Sequence, residues 1–165
     1  MKKIEFSCSQ VMDFLNVYSL FKERIDERAR ILIEAGEIED KLPSEAIKQK
    51  YNLIILNNIL YSKLLKNSFL EKTVKEITGN DISIIDRDNS LISGTNCPAC
   101  NYIVFESKED SFYEICPVCM WQNDGTIGDN YSSCNHSTIN EYTKKDSFKL
   151  RLIIGNEKYI KFDNQ

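Results

Sequence analysis

The first third of the chain carries a helical pattern. Val11, Phe14, Leu15, Tyr18, Phe21, Ile25, Ala29 and Leu32 recur at three- and four-residue steps, which places them on one helical face. Ser7 and Gln10 have capping-box spacing ahead of this run, and Gly36 is a stop signal. The spacing predicts one helix over about 8–35. Leu42-Pro43-Ser44 breaks the pattern. A second helix is expected from Ser44 through Ile47, Tyr51, Ile54, Ile55, Ile59 and Leu64, with one continuous helix over 45–78 as the alternative. Its stretch from Leu53 to Leu65 is apolar on more than one face, as in a central helix or a dimer contact. Ser68 and Glu71 frame a third helix that Gly79 ends.

Beyond Gly79 the period shortens. Ile82–Ile85 and Leu91-Ile92 read as strands, as do Tyr102–Phe105 and Phe112–Ile115. Thr138 and Glu141 can open a short helix. Lys149–Ile154 and Lys158–Phe162, around Gly155-Asn156, read as a closing hairpin. The expected class is α+β: a helical region over 1–80, then a β-rich ribbon with a short helix and a C-terminal hairpin over 81–165. The two parts form separate units or share one core.

The chemistry lies in the second part. Cys97-Pro98-Ala99-Cys100 and Cys116-Pro117-Val118-Cys119 repeat one frame. A two-residue gap lets both sulfurs of a pair leave a tight turn in one direction, and a hairpin between the pairs brings all four together around a tetrahedral ion. Zinc is the favoured ion and iron the alternative. Four thiolates fill a zinc coordination sphere, so the site reads as structural, with no catalytic residues. In such knuckles the residue after the second cysteine tends to need positive φ. Asn101 suits that need and Met120 does not, so the second knuckle is expected to turn differently. Trp121 is either a cover over the ion or an exposed binding anchor.

Charge limits the partners. The net charge is −4. Between Thr95 and Tyr131 the one basic residue, Lys108, stands against Glu106, Glu109, Asp110, Glu114, Asp124 and Asp129. Such a surface repels phosphates, so nucleic acid is disfavoured and a basic protein partner is expected. Glu106, Glu109, Asp110, Trp121, Asp124 and Asp129 are the candidate partner-binding residues. Cys8 and Cys134 read as free thiols buried as small hydrophobes, and His136 as a loop or helix-start residue. No apolar stretch approaches a membrane span, and no export signal is legible. A cytoplasmic protein is the expectation.

Cys97-Pro98-Ala99-Cys100-Asn101-Tyr102, Tyr113-Glu114-Ile115-Cys116-Pro117-Val118-Cys119-Met120-Trp121 and Asp124-Gly125 together resemble the bacterial cysteine-rich CPCC family, over about residues 95–145. Asn135–Glu141 carries a weaker echo. Ala99 departs from it where members carry a further cysteine, and Gln122 and Asn123 depart where members are acidic. The resemblance implies a zinc-ribbon module. Its occurrence near bacterial toxin systems implies an immunity protein that neutralises a cognate toxin. A zinc-ribbon regulator or nucleic-acid-associated factor and, behind it, a metal-dependent hydrolase are the other readings.

Overall fold

The computed structural model describes residues 2–39 and 43–163; Leu42 of the predicted break lies outside them. A short strand β1 (Ile4–Phe6) leads into helix α1 (Cys8–Lys22). The predicted capping box is present: Ser7 Oγ accepts from the Gln10 amide at 3.1 Å, and Gln10 Oε1 accepts from the Ser7 amide at 2.9 Å. Helix α2 (Ile25–Glu34) follows.

The single long helix expected here is two helices. Glu23 and Arg24 are extended between them. The break lets Ala29, Ile31 and Leu32 build a core of their own with Ala46, Tyr51 and Ile55. Arg28 fixes the arrangement by donating to the Ala46 carbonyl at 2.9 Å and to Asn52 Oδ1 at 2.7 Å. No glycine or proline marks the break, so periodicity runs through it.

The second expected helix is also fragmented. Two 3-10 turns, Pro43–Ile47 and Gln49–Tyr51, precede α3 (Asn52–Asn58). Ile55 faces the small core, whereas Leu64 and Leu65 lie in the loop beyond and enter the main one. No continuous central helix forms. Helix α4 (Asn67–Thr78) ends as expected at Gly79, whose φ of 78° closes the last turn with its amide on the Lys75 carbonyl at 2.8 Å. Its start differs from expectation. Lys66 occupies the cap, and the Glu71 carboxylate instead accepts the Ile84 amide at 2.9 Å.

That bond ties α4 to β2 (Ile82–Ile84), which pairs in parallel with β1. Strand β1 was not expected, because three residues are too short to display a period. Leu91 lies in a 3-10 turn (Asn89–Leu91) and is exposed, so the expected strand there is absent.

Two short strands, β3 (Thr95–Asn96) and β4 (Ile103–Phe105), pair antiparallel around the first knuckle. Phe112–Ile115 is not a strand. Ser111 is buried with its hydroxyl on the Lys108 carbonyl at 2.6 Å, and Tyr113 has φ 62°, so the segment turns. Helix α5 (Ile139–Tyr142) begins at Thr138, whose Oγ1 accepts the Glu141 amide at 3.1 Å.

The closing hairpin is replaced by helix α6 (Asp146–Lys158). Gly155 lies inside this helix, where its missing side chain serves close packing rather than a turn. Only the arm after it is extended. Tyr102 bridges Lys161, Ile103 donates to the Ile160 carbonyl at 2.8 Å, and Phe162 donates to the Asn101 carbonyl at 2.7 Å. The tail thus runs beside the start of β4, held by an isolated bridge and two backbone bonds rather than by a full strand.

The α+β class stands. Its main core joins Val11, Leu15, Leu70 and Val74 from the helices to the four knuckle cysteines, Trp121, Phe148 and Tyr159. No helix among the described residues is long and apolar enough to cross a membrane.

Candidate metal centre

Each knuckle is built by the same backbone bonds. In the first, the Cys97 amide donates to the Tyr102 carbonyl and the Asn101 amide to the Cys97 carbonyl, both at 2.9 Å. In the second, Cys116 donates to the Trp121 carbonyl and Met120 to the Cys116 carbonyl, again at 2.9 Å. Asn101 has φ 67° and Met120 φ 66°. The second knuckle therefore does not turn differently. The turn that aims both sulfurs of a knuckle the same way takes a left-handed residue here, and Met120 accepts the strain.

These twin turns bring Cys97, Cys100, Cys116 and Cys119 together. Their sulfurs lie within 4.8 Å of one another. Cys97 faces Cys119 and Cys100 faces Cys116, each at 3.6 Å. A tetrahedron with metal–sulfur bonds of about 2.3 Å has edges of about 3.8 Å. The donor set and its spacing fit a four-thiolate ion. The fit extends to the surroundings: amides aim at sulfur, with Ala99 on Cys97 and Val118 on Cys116 at 3.4 Å, and Cys119 on Cys116 at 3.5 Å. Such bonds spread the negative charge that four thiolates place on a dication.

All four cysteines are buried. The Cys100 thiol beside Cys116 at 3.6 Å, with the neighbouring Cys119 and Cys97 sulfurs, lowers the Cys116 thiol below its ordinary range, and the same neighbours with burial raise Cys100 above it. A bound dication would let all four sulfurs be thiolates.

Trp121 is fully buried. This corrects its assignment as a partner-binding residue and gives it the covering role. It meets Tyr142 edge-on at 5.1 Å, and Tyr142 meets Phe148 at 5.8 Å. Its indole N–H has no hydrogen-bond partner among the described residues, so it contributes packing. The Tyr142 hydroxyl donates to the Cys119 carbonyl at 2.6 Å, and Arg151 Nη1 donates to the same oxygen at 3.2 Å. Helices α5 and α6 thus hold the second knuckle, and Arg151 brings a positive charge to an electron-rich centre.

Tyr142 and Arg151 have no motif of their own. They fell outside the predicted site because the short helix expected from Thr138 carried no sign of what it packs against and the segment with Arg151 read as a strand.

The acidic candidates separate into two groups. Glu106, Glu109 and Asp110 are exposed on the turn after β4, where Asp110 also accepts from Ser107 Oγ at 2.6 Å. Asp129 is exposed and accepts from the Asn140 side chain. Asp124 is half-buried and spends its carboxylate internally. Oδ1 accepts from the Thr126 amide at 3.1 Å and its hydroxyl at 2.6 Å, and Oδ2 accepts from Ser132 Oγ at 2.6 Å. Ser132 Oγ in turn accepts from Asn135 Nδ2 at 2.7 Å, and Asn135 Oδ1 accepts the Gln122 amide at 2.8 Å. This chain of bonds fastens the long loop to the second knuckle.

Cys134 is exposed, not buried as expected, and shares with the exposed His136 a turn that the Ser132 amide closes onto the Ser137 carbonyl at 2.9 Å, while Cys8 is half-buried at the start of α1. The four knuckle cysteines are the one metal-capable cluster among the described residues.

Residues 95–148 match the cysteine-rich CPCC family. The match leaves residues 1–94 outside it. No curated protein and no solved structure matches the chain. The matched segment runs from β3 into the first turn of α6, so the CPCC segment holds all four metal-capable cysteines, Trp121 and Tyr142. The rest of α6, with Arg151 and Gly155, lies beyond it.

Proposed function

We propose that the chain is a non-enzymatic, zinc-stapled protein-binding module. The observation that carries the reading is the closed donor set: four buried cysteines whose sulfurs are spaced for one ion. Four thiolates leave no position for water or substrate, whereas a hydrolytic zinc keeps one open. Zinc suits the thiolate tetrahedron, and iron is the alternative. The ion would fold a ribbon whose strands are only two and three residues long.

The partner in this reading is a basic protein, met by the exposed turn bearing Glu106, Glu109 and Asp110. Complementary charge speeds encounter and fixes orientation. In its sharpest form the protein is an acidic immunity protein against a cognate bacterial toxin such as a basic nuclease, acting in the cytoplasm. The acidic ribbon and the CPCC resemblance support this form.

Elemental analysis should find about one zinc per chain, and X-ray absorption should find four sulfurs around it. A chelator should melt the ribbon, seen as a change in Trp121 fluorescence. An oxygen ligand on the ion, or a metal-free chain of unchanged stability, defeats the structural reading. For the partner, calorimetry with the basic protein encoded beside this gene should give a salt-sensitive complex. Charge reversal at Glu106, Glu109 and Asp110 should abolish it. Absence of any complex sinks the immunity reading and leaves the metal reading standing.

A further inference from the structure

The four ligand sulfurs are not equivalent. Backbone amides donate to Cys97, from Ala99, and to Cys116, from Val118 and Cys119. Among the described residues no backbone amide donates to the sulfur of Cys100 or Cys119. An amide bond draws charge off a thiolate and blunts it as a nucleophile, so the two bare sulfurs are the more reactive pair.

Access separates that pair. Cys119 is fully buried, and its carbonyl is held by Tyr142 and Arg151. Cys97 and Cys116 are fully buried as well, whereas Cys100 keeps 4% exposure. Cys100 lies in the wall of a cleft of about 290 Å³, together with Pro98, Ala99, Asn101, Leu152 and Lys161. The cleft has room for a small reagent, and Lys161 brings a positive charge to its wall. Behind Cys100, the Cys116 sulfur stands 3.6 Å away. Nucleophile, entrance and a second sulfur thus meet at one ligand.

We propose, taking the four-thiolate ion as bound, that Cys100 is the oxidation site of the centre. A small hydroperoxide enters by this cleft, and Cys116 is the resolving partner. The Cys100 thiolate attacks one peroxide oxygen. The O–O bond breaks, hydroxide leaves, and Cys100 becomes a sulfenic acid. The Cys116 thiolate then attacks the Cys100 sulfur and expels a second hydroxide, which leaves a disulfide. Two electrons pass from the sulfurs to the peroxide, and the two hydroxides take up protons as water. Cys97 and Cys119 alone remain as ligands, so the ribbon loses its staple.

Partial oxidation of the zinc-loaded full chain tests this, with Cys134→Ser to remove the exposed free thiol. Substoichiometric hydrogen peroxide is added, sulfenic acids are trapped with dimedone, and peptides are mapped by mass spectrometry. Initial labelling at Cys100 should exceed that at Cys97 at least about 5-fold, the kinetic equivalent of one hydrogen bond. Without the trap, Cys100–Cys116 should be the first disulfide, and one zinc should reach a colorimetric chelator per disulfide formed. Ala99→Leu narrows the cleft and keeps every amide in place, so it should slow labelling and zinc release alike with metal content unchanged. The map of the Ala99 protein decides the question whether or not the Leu variant folds. First labelling at Cys97, Cys116 or Cys119 overturns the proposal and leaves the metal reading standing. So does a first disulfide between Cys97 and Cys119, or zinc release that leaves Cys100 unmodified. A chain that binds no zinc overturns both.

Discussion

Gly155 of α6 lies directly against Val118 of the second knuckle. A Cβ added at residue 155 would stand 2.3 Å from Val118 Cγ1 and 3.3 Å from the Tyr102 ring. The helix therefore sits as close to the metal centre as a backbone can. Alanine at 155 would favour helix formation by about 1 kcal/mol, but it must push a stiff β-branched side chain aside. Overpacking of this kind costs about 1–3 kcal/mol. Gly155→Ala should lower stability in denaturant titrations of the metal-loaded protein. Val118→Ala in the same chain should restore part of the loss, a coupling of about 0.5–3 kcal/mol in the double-mutant cycle. Additive effects would mean that the contact is not tight.

Met120 offers the opposite change. Its φ of 66° costs a side-chain-bearing residue about 1–2 kcal/mol, and its side chain is half exposed, so little packing is lost. Glycine gives back about 0.4–1 kcal/mol through the freedom of the unfolded chain. Met120→Gly should therefore stabilise by about 0.5–1 kcal/mol, read as a raised denaturation midpoint. A destabilised variant would show that the methionine side chain does more than the strain suggests.

Sequence and structure agree where the signal is local. The Ser7–Gln10 box, the Gly79 stop, the Thr138 cap and the cysteine frames each rest on residues within a few positions of one another, and each appears as read. The Ser68–Glu71 frame and the different turn expected at Met120 are local readings that failed, and the other misses rest on distant partners. Strand β1 exists because Ile82–Ile84 lies beside it. The break at Glu23-Arg24 exists because Ala46 and Ile55 offer a second core. Helix α6 was read as a strand because it is apolar on both sides: Phe148 is buried inward while Leu150, Ile153 and Ile154 are exposed outward, and Gly155 imitates a turn. At the site, the ligands were legible from spacing. The clasp of Tyr142 and Arg151 was not, because it depends on where α6 lands.

Asp124 connects the loop after the second knuckle to the proton concentration. Burial pushes its carboxyl up, but hydrogen bonds from Ser132 and Thr126 outweigh that and hold it below the usual carboxylate range. A lowered folded-state pKa contributes stability that is present above the unfolded value and lost as pH falls through the folded one. Wild-type stability should therefore decline on acidification below about pH 4, near the unfolded carboxylate value. Asp124→Ala should show a shallower decline there and a loss of about 1–3 kcal/mol at neutral pH from three missing bonds. Parallel pH profiles for the two proteins would remove Asp124 from the account.

The Cys119 carbonyl is the point where α5 and α6 hold the second knuckle. It accepts from the Tyr142 hydroxyl at 2.6 Å and from Arg151 at 3.2 Å. Tyr142→Phe keeps the ring against Trp121 and Phe148 and removes the shorter bond to the carbonyl, together with the weak 3.4 Å bond that Arg151 donates to the hydroxyl. The Arg151 bond still satisfies the oxygen, so the cost should stay near about 1 kcal/mol. The more telling readout is metal exchange. Cys119 is released only if its knuckle opens, and the hydroxyl resists that opening. Transfer of the ion to a colorimetric chelator should be about 5-fold faster in Tyr142→Phe, the kinetic equivalent of that one bond. Arg151→Met alone should act in the same direction, and the double variant should lose more than the sum, because the carbonyl is then left without a protein donor. Equal transfer rates in wild type and all three variants would show that α5 and α6 do not hold the centre shut.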